Sequence, residues 1–210
     1  MDLLHPELGT PSIRRAAELL HISGVPVVTA AKVLAREPDS PVTRTLKLWG
    51  DDENPFSHLI TARSKEARVW RETMGILVGN LAPDLSSRTV WRGWHFESGR
   101  KREILMRDLE ETGRFRNERA GMSASHLRRV AIRPEFLNHY GVLWEIRHPR
   151  AARNLAPIFR AIGAKSPHQR EVVFPSGTTF RLLRDPAWLT IRRDGHSLRV
   201  RHHVLEEETP

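Results

Sequence analysis

The sequence predicts an α+β fold, and three observations carry that expectation. Helical periodicity dominates the first part of the chain, short apolar runs between turn signals dominate everything after about Arg88, and strands and helices do not alternate as they would around a parallel sheet. With 210 residues the chain can bury one good core, or one catalytic domain plus a small helical appendage.

The elements follow in order. Ile13, Ala16, Ala17, Leu19 and Leu20 form one helical face, and the break from Ile22 to Pro26 separates it from a second run through Val27, Val28, Ala31, Val33 and Leu34. Ala16 to Ser23 resembles the opening of a helix-turn-helix. However, His21 stands where that turn favours Gly, and Val27-Val28-Thr29-Ala30 offers little polarity for reading base edges. A helical hairpin packed on the next domain fits these residues better. Arg36 to Pro55, with Pro38, Pro41 and Pro55, reads as a connector, which gives a helical region over 1–50 and a catalytic domain over 51–210. The first region holds no residue the chemistry below requires, so it is expected to be accessory. A longer helix is expected from about Ser57 to Leu81. Strands are expected at Thr89 to Trp94, Gly141 to Ile146, Glu171 to Phe174, Thr178 to Leu183, Leu189 to Arg192 and Leu198 to Val204, with helices at about Arg100 to Thr112 and Ala124 to Phe136.

Composition excludes several classes of function. Cysteine is absent, which removes disulfides, thiolate metal sites and a cysteine nucleophile together. His202-His203 and the other histidines lack paired ligand spacing with carboxylates, so no metal is expected. No apolar run approaches the roughly 20 residues a bilayer requires. The N-terminus has neither a basic nor an apolar leader region, so the chain is expected to be made in the cytoplasm without a signal peptide. There is no phosphate-binding loop and no Gly-rich dinucleotide fingerprint. The formal charge of +9 rests mostly on arginine, since Lys32, Lys47, Lys65, Lys101 and Lys165 are the only lysines. Such a field attracts polyanions, and arginine-rich codon usage explains it equally well.

Three segments carry a specific pattern: Val90-Trp91-Arg92-Gly93, then Met122-Ser123-Ala124-Ser125, then Gln169-Arg170-Glu171-Val172-Val173-Phe174-Pro175-Ser176-Gly177-Thr178. In this order they resemble the bacterial mono-ADP-ribosyltransferase toxins of the Arg–Ser–Glu class, in the Gln-x-Glu variant, over about Ser57 to Val204. The resemblance implies an ADP-ribosyltransferase-like fold, two small packed sheets forming an NAD⁺ cleft with helices mainly N-terminal. It implies NAD⁺ as co-substrate, cleaved at the nicotinamide–ribose bond.

The roles implied for single residues make chemical sense. Arg92 offers the dinucleotide a planar, permanently charged fork, and Gly93 lets backbone approach the nicotinamide carboxamide. Ser123 sits near the nicotinamide ribose and helps position the glutamate. The family's Ser-Thr-Ser here reads Ser123-Ala124-Ser125, which keeps both serines and loses the central hydroxyl. Glu171 would stabilise the oxocarbenium-like charge that develops as nicotinamide leaves. Gln169 stands where arginine-modifying members have a second carboxylate, so the acceptor is expected to be a protein Asn, Gln or Cys side chain or a nucleic-acid guanine. The acceptor loop, Ile162 to His168, has no aromatic residue, which leaves Trp94, Phe96 or Phe159 to supply an aromatic wall. Asn138-His139-Tyr140 is not the diphtheria-type pattern, because Arg92 already fills the first-strand position. A toxin or effector delivered to a target cell, with an immunity protein or antitoxin as partner, follows from the same resemblance. The reading from a different class is a DNA-binding regulator on a degenerate transferase fold.

Overall fold

The computed structural model describes residues 23–50, 65–86, 88–118, 121–164 and 167–208. The helix expected over 13–20, nearly all of the helix-turn-helix-like segment, and the start of the helix expected from Ser57 lie outside the described residues.

Helix α1 (Val27–Ala35) is followed by a helix where the sequence suggested a connector, α2 (Pro41–Trp49). The prolines misled because one of them starts the helix. Pro41 occupies the first helical position, where a missing N–H costs nothing, and the hydroxyl of Ser40 accepts from the Thr43 amide at 3.1 Å. The buried side of α2 carries Val42 and Leu46. These pack with Ala30 and Leu34 of α1, with Met74 and Leu77 of α3 (Lys65–Asn80), and with Ile158 and Phe159 of α6 (Ala156–Ala161). The boundary expected at residue 50 therefore runs through one continuous hydrophobic core, which reaches Val173 in the sheet.

The strands are β1 (Thr89–Trp94), β2 (Arg114–Arg116), β3 (Gly121–Ser125), β4 (Val142–Arg147), β5 (Arg153–Asn154), β6 (Glu171–Pro175), β7 (Thr179–Leu182), β8 (Ala187–Arg193) and β9 (His196–Glu207). Among the described residues they join in the order β2-β7-β9-β4-β1-β3-β6-β5, with β8 paired to β9. This path curls back on itself. Phe180 of β7 meets Phe174 of β6 edge to face at 5.0 Å between ring centroids, although four strands separate β7 from β6 in the hydrogen-bonded order. Two facing halves thus enclose a core of Val90, Met122, Trp144, Val172, Phe174, Phe180 and Leu205, capped by Met106 and Leu109 of α4 (Gly99–Thr112).

α4 begins on Ser98, whose hydroxyl accepts from the Lys101 amide, and ends on Gly113 at a φ of 70°. The helix expected from Ala124 to Phe136 shrinks to α5 (Arg128–Ala131). Ser123 to Ser125 belong to β3 instead, and Pro134 pushes Arg133 away from helical geometry. The strands β2 and β5 and the helix α6 were not anticipated, being too short for periodicity to register.

His203 of β9 is fully buried, with Nε2 2.9 Å from the Glu110 carboxylate of α4. Burial holds its imidazole down at about 4 against the opposing pull of Glu110, so it is neutral at pH 7. Among the described residues no helix is long and apolar enough to cross a membrane, and no cluster of three His, Asp or Glu side chains could hold a metal.

Candidate functional site

In an antiparallel pair, directly opposed residues share a face of the sheet. Glu171 opposes Ser125 across β6 and β3, Ser125 opposes Trp91 across β3 and β1, and Trp91 opposes Glu145 across β1 and β4. The register therefore lays Glu171, Ser125, Trp91 and Glu145 in one row on one face. Ser123, opposite Val173, joins the same face two positions along β3.

The start of β6 is held firmly. The Ser125 hydroxyl donates to the Gln169 carbonyl at 2.5 Å and accepts from the Leu127 amide at 3.0 Å, while the His126 amide donates to the Arg170 carbonyl at 3.3 Å. Between these two anchored carbonyls Arg170 takes a φ of 48°, a left-handed conformation that is costly for any residue with a Cβ and that the anchors enforce. Gln169 and Glu171 on either side of it are both buried. His126 stands 3.3 Å from Asp84 through its Nε2, and burial lowers its pKa against the pull of that carboxylate.

The Glu171 carboxylate accepts a hydrogen bond from the indole Nε1 of Trp49, at 2.7 Å. Trp49 closes α2, and its ring lies against β3, where a Cβ on Gly121 would come within 2.9 Å of it. The segment expected to be accessory thus supplies a direct partner to the residue expected to be catalytic. Nothing local in the sequence marks this contact, which spans 122 positions. Replacing Trp49 by Phe keeps the packing and removes the N–H. With Glu171 as the catalytic carboxylate proposed below, it is expected to lower NAD⁺ hydrolysis by about tenfold or more with an unchanged fold, because a hydrogen bond to a charged group is worth about 1.5–3 kcal/mol. Stopped assays of nicotinamide release on the folded variant check this.

Arg92 lies on the opposite face from Ser123, Ser125 and Glu171, since it neighbours Trp91 and opposes Trp144. Its guanidinium sits 4.1 Å from the ring centroid of Trp94 and donates through Nη1 to the Ser123 carbonyl. β1 and β3 share one register pair, Trp91 with Ser125, and Arg92 bridges the strands beyond it. Gly93 faces protein. A Cβ there would fall 2.1 Å from the Ala131 carbonyl and 2.8 Å from that of Phe136, so the glycine admits the α5 segment against β1.

Of the three aromatics expected to form a wall, Phe96 and Phe159 are core residues, the first stacked on Trp94 and the second packed among the helices. Trp94 is half-buried beneath Arg92. The aromatic that shares the face of Glu171 is Trp91, half-buried, with the Arg128 guanidinium 5.6 Å from its ring and His202 stacked at 6.4 Å. His202 in turn meets Glu145 at 3.3 Å, and burial keeps its pKa below the usual imidazole value.

No protein-family model matches the chain, and no curated protein is significantly similar to it. Solved structures are. The type III effector XopAI from Xanthomonas axonopodis pv. citri superposes with a TM-score of 0.53 at 14% identity, over 94% of this chain and 75% of that one. Exoenzyme S from Pseudomonas aeruginosa, solved with human 14-3-3 protein beta and bound to Carba-NAD, superposes with a TM-score of 0.53 at 13% identity, over 93% of this chain and 88% of that one. The ADP-ribosyltransferase HopU1 of Pseudomonas syringae pv. Tomato gives a TM-score of 0.47 at 16% identity, over 80% of this chain and 66% of its own length. The chain thus has the α+β fold that its sequence predicts, a fold it shares with XopAI and Exoenzyme S.

Proposed function

We propose that the protein is a mono-ADP-ribosyltransferase, moving ADP-ribose from NAD⁺ to a macromolecular acceptor with release of nicotinamide. The observation that carries this reading is the register of β3 and β6, which sets Glu171 against Ser125 with Ser123 beside them on one face. The fold shared with Exoenzyme S, which was solved with Carba-NAD, supports it.

In this reading the bond from ribose C1′ to the nicotinamide nitrogen breaks, nicotinamide leaves with the electron pair, an acceptor lone pair closes on C1′, and the acceptor's N–H or S–H proton is released to water. Positive charge spreads over the ribose between those events. Glu171 is the group that offsets it, and a carboxylate held by Trp49 and by the anchored Gln169–Arg170 turn needs no reorganisation as the charge appears. Ser123 and Ser125 shape the ribose end. Gln169, which cannot act as a second carboxylate, favours a protein Asn, Gln or Cys side chain or a guanine over protein arginine. The enzyme would act as a toxin or effector in a target cell, restrained at home by an immunity protein or antitoxin.

Arg92 ties β1 to β3 at the opening between them and presents the dinucleotide with positive charge. Lysine keeps the charge but cannot both cover Trp94 and hold the Ser123 carbonyl with a planar fork. Arg92→Lys is expected to weaken NAD⁺ binding by about 1–3 kcal/mol, measured by calorimetry on the folded variant.

The test of the whole reading is to incubate the protein with labelled NAD⁺ and a cell lysate. Label retained on protein, RNA or DNA, sorted by protease and nuclease treatment, supports it. A folded protein that neither transfers label nor releases nicotinamide overturns it. Label freed from protein by neutral hydroxylamine would mean an arginine linkage and reverse the Gln169 argument.

A further inference from the structure

The β8–β9 hairpin pairs Trp188 with Arg201, Thr190 with Arg199 and Arg192 with Ser197, so these six share one face. The intervening residues, Leu189, Ile191, Leu198 and Val200, turn into the core on the other. The hairpin's own contribution to the outward face is therefore arginine, small hydroxyls and one tryptophan, with Glu110 of α4 beside Arg201. It is also a different face from the Glu171 row. Arg201 opposes Val142 across β9 and β4, and Val142 opposes Trp94, which alternation sets on the side away from Trp91.

Trp188 is 47% exposed, an unusual degree for that side chain. Three guanidinium groups surround it, with Cζ atoms at 5.0 Å for Arg199, 5.5 Å for Arg102 of α4 and 5.7 Å for Arg201. Arg92 closes on Trp94 at 4.1 Å, whereas these three stand off and leave nearly half of the residue open. Arg201 is balanced by Glu110 at 3.3 Å and Arg102 by Glu103 at 3.4 Å. Arg199 and Arg192 have no acidic partner among the described residues, and Arg199 is exposed. An open aromatic ring ringed by three cations, one of them without an acidic partner among the described residues and with Arg192 further along the same face, fits a ligand that brings a flat unsaturated ring and anions in regular alternation.

We propose that this face binds single-stranded nucleic acid, with one base stacked on Trp188 and neighbouring phosphates on Arg199, Arg201, Arg102 and Arg192. A duplex hides the faces of its bases, so the exposed ring argues for a strand whose bases are free. An acidic peptide would meet the arginines but leave the ring unused. The surface does not depend on the reading of the Glu171 site.

The experiment measures fluorescence anisotropy of end-labelled oligouridylate and oligothymidylate, about 20 nucleotides each, across a salt series with the full chain. The intact protein is expected to bind both, more tightly than a duplex of the same length. Trp188→Ala should weaken binding about tenfold or more, and Trp188→Phe should restore part of it. Arg199→Gln should weaken binding several-fold and flatten the log–log salt dependence by about 0.7. Circular dichroism confirms the fold of each variant, and Trp188→Phe with Arg199→Gln decides the matter if Trp188→Ala does not fold. Any of three results overturns the proposal: no binding at low salt, unchanged binding in the folded variants, or displacement of the oligonucleotide by polyglutamate as readily as by unlabelled strand, which would mean a charge-only surface for acidic proteins.

Discussion

Glu171→Gln is expected to slow nicotinamide release and ADP-ribose transfer by about a hundredfold or more while leaving NAD⁺ affinity nearly unchanged. The substitution keeps the side chain's shape, and its amide oxygen can still accept from the Trp49 indole, as the carboxylate does at 2.7 Å. What disappears is the full negative charge, which matters only once the ribose becomes cationic. The loss belongs to the transition state, so it should appear in kcat and not in binding. Single-turnover nicotinamide release, with calorimetric NAD⁺ affinity beside it, separates the two. Near-normal turnover in a folded Glu171→Gln protein would remove Glu171 from the chemistry.

A chain beginning at Asp51 is expected to lose its cooperative fold. Deleting α1 and α2 strips Ala30, Leu34, Val42 and Leu46 from a core they share with Met74, Leu77, Leu155 and Phe159. Exposing one large apolar side chain costs about 1.5–3 kcal/mol, so uncovering Met74, Leu77, Leu155 and Phe159 together approaches the whole margin of about 5–15 kcal/mol that holds a domain together. Trp49 would go as well, and with it a hydrogen bond to Glu171. The milder substitution Leu46→Ala should cost about 2–5 kcal/mol by urea unfolding and keep the fold. A soluble 51–210 fragment with a sharp unfolding transition would show that the helical layer is dispensable.

Sequence reasoning located the strands that carry Arg92 and Glu171 because each is an apolar run bounded by turn residues, a strictly local signal, whereas β3, which carries Ser123, was not among the expected strands. It also located α4, whose cap Ser98 and terminal Gly113 are local too. It failed where the deciding interaction is distant or the local signal ambiguous. Pro41 reads as a breaker until Ser40 and the buried side of α2 show it opening a helix. Ala124 to Phe136 is helix-compatible in composition, yet pairing with β6 claims Gly121 to Ser125 for the sheet. The opposed faces of Arg92 and Ser123 depend on which residue of β1 meets Ser125, and a one-residue slip would exchange every face. Trp49 meets Glu171 only in three dimensions.

The position of β9 has a consequence for how the molecule comes into being. It lies between β7 and β4 and also holds β8, so it joins the two facing halves, and every strand it contacts precedes it in the chain. A nascent polypeptide that has emerged only as far as β8 therefore presents β4 and β7 with open hydrogen-bonding edges and no means of closing them. Completion waits on residues 196–207, and the contacts it then makes span up to most of the sheet's sequence, which is the topology of a slow folder. During synthesis the protein is thus an incomplete sheet in need of protection from aggregation, and its two facing halves are joined only after β9 has inserted.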